Sequence, residues 1–209
     1  MQNKFLKISV ICTLVFIVLN ELVGFTSAAV LPWLHNATDI DTQNLYHIQL
    51  NIQQVLAALT HLFFFLSALA MIVCNKRSAL AWIGGGLLSL NGLFVFVRII
   101  VRYILRLMEN TETEALLYSN GISWAQLVAF CTALILIGVH YKSVGMIVTA
   151  SLLTIMDIIK QVAWLVFITD VSAYMTYYSI ISGILGIAVF VVELIYLILW
   201  IRQTKQKPI

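Results

Sequence analysis

Residues 54–105 read QVLAALTHLFFFLSALAMIVCNKRSALAWIGGGLLSLNGLFVFVRIIVRYIL. Two apolar runs, 54–74 and 79–105, flank the short turn Asn75–Ser78, which carries Lys76 and Arg77. Each run has the ~20 apolar residues that the hydrocarbon core of a bilayer requires of a spanning helix. The turn between them is too short for anything but a tight helical hairpin. A Lys/Arg-bearing turn is held on the cytoplasmic side. This stretch therefore predicts two antiparallel transmembrane helices joined on the inside.

The same pattern extends in both directions. Further apolar runs cover 5–23, 121–141, 144–169 and 174–201, and a second short basic turn, Tyr141–Ser143, holds Lys142. The gaps between runs alternate in sign. Lys4, Lys7, Lys76, Arg77, Lys142, Arg202, Lys205 and Lys207 share one side with no Asp or Glu, and Asp39, Asp41, Glu109, Glu112, Glu114 and Asp170 share the other. This predicts an all-α bundle of six transmembrane helices with both termini in the cytoplasm. Trp33, Trp124, Trp164, Tyr174, Tyr177 and Tyr178 fall where an outer aromatic belt belongs, and Trp82 and Trp200 where an inner one does. With 209 residues, 62% of them hydrophobic, and a mean hydropathy of +1.00, a single integral membrane domain over 1–209 is expected. The cell membrane is the expected location. The net charge of +3 sits mainly in loops and tails, so it reports topology and not nucleic-acid binding.

The first run has a rival reading. Lys4 and Lys7 before an apolar core, followed by Thr26-Ser27-Ala28-Ala29, also resemble a secretory signal peptide with its cleavage site. The region 24–53 is the longest gap, but it is not all loop. Asp41 is a good N-cap, and Leu45, Ile48, Ile52, Val55 and Leu59 follow at helical spacing, so the second helix is expected to start near Thr42. The third helix is expected to continue outward to about Met108. Helices 2 and 3 are thus both expected to extend on the outer side.

Several chemistries lack their signatures. Cys12, Cys74 and Cys131 lie in three different segments without a CxxC pair, so neither a disulfide oxidoreductase nor a zinc site is indicated. His35 and His47 flank Asp39 and Asp41 without a tight ligand spacing, and no metal or other cofactor is expected. The Asn36-Ala37-Thr38 sequon lies in an outer loop. Gly84-Gly85-Gly86, Ser89, Gly92, Gly183 and Gly186 read as small residues that let helices approach closely.

What topology does not explain is a set of polar residues inside the runs. Counted at 1.5 Å per residue from the inner end of each run, His61 and Asp157 lie at about 20 Å, Asn91 at about 18 Å and Gln126 at about 22 Å. Glu21 and Lys160 lie at about 24 Å, and Arg98 near 28 Å. They form one layer in the outer half of the bilayer. Facing agrees with depth. His47, Asn51, Gln54, Ala58 and His61 make one stripe, Asn91, Arg98 and Arg102 share a face, and Thr154, Asp157, Gln161 and Trp164 share another with Lys160 beside it. Polar stripes of this kind turn inward in a membrane, toward partners or water. Glu193 is placed apart, about 10 Å from the inner end of the last helix on a face with Ser182, Tyr196 and Trp200.

Glu21, His61, Asn91, Arg98, Arg102, Gln126, Asp157 and Lys160 are therefore the candidate ligand-binding residues, around a polar cavity open to the outside. Mixed charge suits a small polar or charged solute, bound or transported. In size and six-helix build the chain resembles the substrate-binding subunits of energy-coupling-factor vitamin importers, which implies solute binding without catalysis. Two other readings stand beside this one. The layer is a structural network in an accessory membrane protein (immunity, sensory or assembly) that binds a membrane-protein partner, with Asp157 paired to Lys160 on one helix and Glu21 to Arg98 or Lys160 across helices. Or the chain is an intramembrane enzyme using Glu21, His61 or Asp157 as acid or base. Against the enzyme, HExxH, GxGD, GxSxG and aspartate-rich motifs are all missing. Arg98, Arg102 and Arg106 recur every fourth residue at the outer end, unlike a voltage sensor's every third residue through the membrane. No catalytic residue is assigned.

Overall fold

The computed structural model describes residues 2–35, 40–108, 120–167 and 179–204. All the elements in them are helical: α1 Gln2–His35, α2 Ile40–Cys74, α3 Ala79–Leu107, α4 Asn120–His140, α5 Val144–Phe167 and α6 Ser179–Gln203. Five of these hold stretches long and apolar enough to cross a membrane: Lys4–Gly24, Asn51–Cys74, Ala79–Val101, Val144–Ala163 and Gly183–Gln203. The apolar part of α4, Trp124–His140, is shorter. The molecule is a multi-pass helical bundle of the kind an integral membrane protein requires.

Each helix packs on its neighbours in the chain, and α6 returns to α1, which closes the bundle into a ring. Neighbours run antiparallel. Phe16 stacks on Phe63 with ring centroids 5.1 Å apart, and Thr13 Oγ1 lies 3.3 Å from Ser67 Oγ between α1 and α2. The two short turns lie at one end of the ring, the basic end, and both are closed by their own sequence. Ser78 caps α3, its Oγ accepting from the Ala81 N–H at 3.3 Å. After α4, Lys142 takes the left-handed conformation with φ 50°, the Ser143 N–H reaches Gly138 O and the Lys142 N–H reaches Val139 O, a Schellman closure. Ser143 then caps α5 through the Met146 N–H. Ser78 Oγ and His140 Nδ1, 2.9 Å apart, tie the first hairpin to the end of α4.

Among the described residues most of the well-packed core lies toward the basic end. Leu6, Val10 and Ile17 of α1 meet Phe64, Ala68 and Met71 of α2, Ala81 and Leu88 of α3, Leu134 and Ile137 of α4, Met146, Ala150 and Leu153 of α5, and Tyr196, Leu197 and Trp200 of α6. Phe64 meets Phe130 edge-on at 5.9 Å, joining α2 to α4 across the interior. Tyr196 donates its hydroxyl to Leu134 O at 2.8 Å, joining α6 to α4. The outer faces are apolar too: Leu90 is 68% exposed and Ile184 64%, as lipid contact demands.

Three expectations change. α1 does not stop near residue 23. It continues to His35 and α2 starts at Ile40, so most of the 24–53 gap is helical, and residues 36–39 lie outside the described residues. The Thr26–Ala29 stretch is helical, and α1 continues through Pro32. α2 begins at Ile40 and α3 ends at Leu107, so both extend as expected. Trp200 is not part of an interfacial belt, since it is fully buried in the core. Trp82 does sit exposed at the basic end, donating to Lys76 O at 3.1 Å. Small residues differ by helix. A Cβ on Gly92 would lie 3.0 Å from His61 O and Phe65 N, and one on Gly85 2.7 Å from Ile72 Cγ1, whereas Gly86, Gly183 and Gly186 face open space. Close packing at glycine is therefore found at α2–α3 and, through Gly84, at α3–α4, and also at α4–α5 through Gly138 and α5–α6 through Gly145.

The predicted outer acids Asp39, Glu109, Glu112, Glu114 and Asp170, the sequon, and Tyr174, Tyr177 and Tyr178 lie outside the described residues. The three cysteines are free thiols.

Candidate functional site

Each buried stripe of the basic half runs straight into a polar residue of the other half. On α1, Leu6, Val10, Thr13 and Ile17 lead by three- and four-residue steps to Asn20 and Glu21. On α2, Met71, Ser67 and Phe64 lead to His61 and Gln54. On α4, Ile137, Leu134 and Phe130 lead to Gln126. On α5, Met146, Ala150 and Leu153 lead to Asp157 and Lys160. On α6, Trp200, Leu197 and Tyr196 lead to Glu193. Residues at these steps share one helix face, so the polar groups point where the core points, into the ring. Phe64 and Phe130 form the floor between the halves.

The layer falls into two groups on opposite arcs of the ring. The first spans α2, α3 and α4. Arg98 Nη1 donates to Gln126 Oε1 at 2.9 Å, and the Arg98 charge acts on His61. A guanidinium only donates, so the Gln126 atom facing it must be its oxygen, which leaves the amide nitrogen as the other end. That nitrogen, Gln126 Nε2, is buried without a partner among the described residues, and so are His61 Nδ1, Gln54 Oε1 and, on α3, Ser89 Oγ. Asn20 Oδ1 on α1 is a further buried acceptor without a partner.

The second group spans α5, α6 and α1. Lys160 acts electrostatically on both Asp157, on its own helix, and Glu21 of α1. Glu193 feels both Asp157 and Glu21. This corrects the expectation that Glu193 stands apart near the inner face. Side chains tilt toward the N-terminus of their helix. α6 runs opposite to α1 and α5, so Glu193 reaches outward while Glu21 and Asp157 reach inward, and the Cα depth difference overstates the separation. Thr154 reaches the Cys131 thiol of α4 beside Asp157.

Asn91 is partly buried on the face of α3 that carries Arg98. The side chain of Arg102, like those of His47, Trp164 and Ser182, lies outside the described ones. Sequence reasoning missed Asn20 and took Ser89 for a packing residue only. The signal for Asn20 was its place one turn beyond Ile17 on the buried stripe of α1. A separate groove of about 570 Å³ between α3 and α4, lined by Leu87, Trp124, Ala125, Val128, Ala129 and Thr132, is almost wholly apolar and opens away from the ring interior. Among the described residues no three His, Cys, Asp or Glu side chains group as a metal site would.

No known protein family, curated protein or solved structure matches this chain. The reading of the site rests on its own geometry.

Proposed function

We propose that the chain crosses the cell membrane six times with both termini in the cytoplasm, and that the outer half of the bundle binds a small polar or charged solute, for uptake or sensing and without catalysis. The observation that carries this is the set of buried, unpartnered polar atoms beside the charged layer: Asn20 Oδ1, Gln54 Oε1, His61 Nδ1 and Gln126 Nε2. A buried donor or acceptor left unpaired costs about 1–3 kcal/mol, and native interiors keep few of them. Among the described residues Trp200 Nε1, in the packed core, is the one such atom far from that layer. Donors and acceptors that converge above a hydrophobic floor are what a polar solute needs.

The test is a thermal-stabilisation screen of the purified protein in lipid nanodiscs against amino acids, vitamins, small anions and sugars. One chemical class is expected to stabilise it. Arg98→Gln, Asp157→Asn and Lys160→Gln are expected to abolish that stabilisation while the protein stays monodisperse. A flat screen, or three variants that all unfold, would establish the layer as a structural network instead.

A further inference from the structure

The packing contacts between helices bring the open polar atoms of α1 to α4 to one level. Thr13 of α1 lies 3.3 Å from Ser67 of α2. Counted outward from that contact at 1.5 Å per residue, Asn20 lies at about 10 Å and His61 at about 9 Å. On α3, a Cβ at Gly92 would lie 3.0 Å from His61 O, so Gly92 marks the same level. A Cβ at Gly84 would lie 3.3 Å from Ala133 O of α4. Counted outward from there, Gly92 lies at about 12 Å and Gln126 at about 10 Å. Asn20, His61 and Gln126 therefore share a level to within about one helical turn. Ser89 sits about one turn nearer the Phe64–Phe130 floor, and Gln54 about two turns further out.

What these residues offer is uncharged. Their buried atoms without a partner among the described residues belong to amides, an imidazole and a hydroxyl. Arg98, the charge beside them, is engaged within the protein, at Gln126 Oε1 and in a further interaction. That contact fixes one polarity. With its oxygen turned to the guanidinium, Gln126 can only donate from Nε2. The amides of Asn20 and Gln54 can exchange oxygen and nitrogen, the His61 ring can change tautomer and the Ser89 hydroxyl can rotate, so each of these donates or accepts as required. The set therefore demands one acceptor, opposite Gln126, and takes donors or acceptors elsewhere. An ion entering here loses its hydration, and these neutral groups carry no opposite charge to offset that loss. A neutral solute with several hydrogen-bonding groups meets every requirement.

We infer that the solute is uncharged and bears hydroxyl or carboxamide groups, one of its oxygens accepting from Gln126 Nε2. This inference rests on the solute-binding reading above and narrows the ligand for it.

The experiment compares neutral probes with charged counterparts by calorimetry on the protein in nanodiscs. The neutral probes are glycerol, erythritol, xylitol and sorbitol, and acetamide, malonamide and succinamide. The charged counterparts are glycerate, gluconate and glucamine, and malonamate, succinamate and β-alaninamide. A neutral probe is expected to bind about tenfold or more tighter than its charged counterparts. Binding confined to the polyols, or to the amides, upholds the inference and identifies the source. Gln126→Glu keeps an oxygen for Arg98 and removes the Nε2 donor, and it is expected to weaken the neutral probe about tenfold. An unchanged affinity in that variant removes Gln126 from the site and overturns the inference. If a charged counterpart binds as tightly as the neutral probe, or if only the amino acids or anions of the wider screen bind, the uncharged solute is wrong and solute binding stands. If nothing in either set binds, both fall. The chemical comparison needs no variant, so it decides even where Gln126→Glu fails to fold.

Discussion

At the residue scale, backbone proximity separates glycines that look alike in the sequence. A methyl group on Gly92 would press at 3.0 Å on two backbone atoms of α2, His61 O and Phe65 N, and neither can rotate away. Gly92→Ala is therefore expected to destabilise the protein by about 1–3 kcal/mol through overpacking. Gly86 meets nothing, and Gly86→Ala is expected to stabilise by up to about 1 kcal/mol through helix propensity alone. Thermal unfolding in mild detergent checks the pair; equal losses at both positions would contradict the α2–α3 packing. Tyr196 gives a second case. Its hydroxyl donates to Leu134 O at 2.8 Å with both groups buried, so Tyr196→Phe is expected to cost about 1–2 kcal/mol, read in the same assay. The GlyGlyGly run and the tyrosine were visible in the sequence, but their partners were not. Which glycine touches a neighbour depends on helix rotation, and three consecutive small residues leave that rotation open.

At the scale of elements, helix positions were legible because long apolar runs bounded by charged or Ser-capped turns admit few alternatives. Asn75–Ser78 and Tyr141–Ser143 are turns in the structure as in the sequence. The extension of α1 to His35 was not legible. Small residues after Gly24 read equally as a loop or a helix, and the sequence does not decide between them. The hairpins also explain the closed basic end. Ser78 serves both as the cap of α3 and as the partner of His140 on α4. Ser78→Ala removes both contacts and is expected to destabilise by about 1–2 kcal/mol. Ser78→Asp keeps the cap and is expected to recover part of that loss. Chemical denaturation of the two variants side by side checks it; a silent Ser78→Ala would mean that the link between the hairpins contributes nothing.

At the scale of the whole molecule, the bundle is two stacked halves. The basic half is a packed, mostly apolar core built from all six helices, with Ser9, Thr13 and Ser67 buried in it, and the charged side chains within the apolar stretches lie beyond the Phe64–Phe130 contact. Much of this layer was readable from depth counting, since a charge within an apolar run stands out whatever its neighbours. Its internal order was not. Which helices are neighbours depends on ring order, and the reach of Glu193 toward Asp157 and Glu21 depends on the opposite tilt of side chains on antiparallel helices. The central claim is that the polar half is reachable from outside the cell and sealed from the cytoplasm. Substituted-cysteine labelling of intact cells tests it most directly, with Cys12, Cys74 and Cys131 first replaced and a membrane-impermeant thiol reagent added outside. Cysteines at His61, Gln126 and Asp157 are predicted to be labelled, and labelling is predicted to fall when a bound solute is present. Cysteines at Met71, Leu134 and Leu197 are predicted to stay unlabelled. Labelling of the second set, or no labelling of the first, would contradict the account.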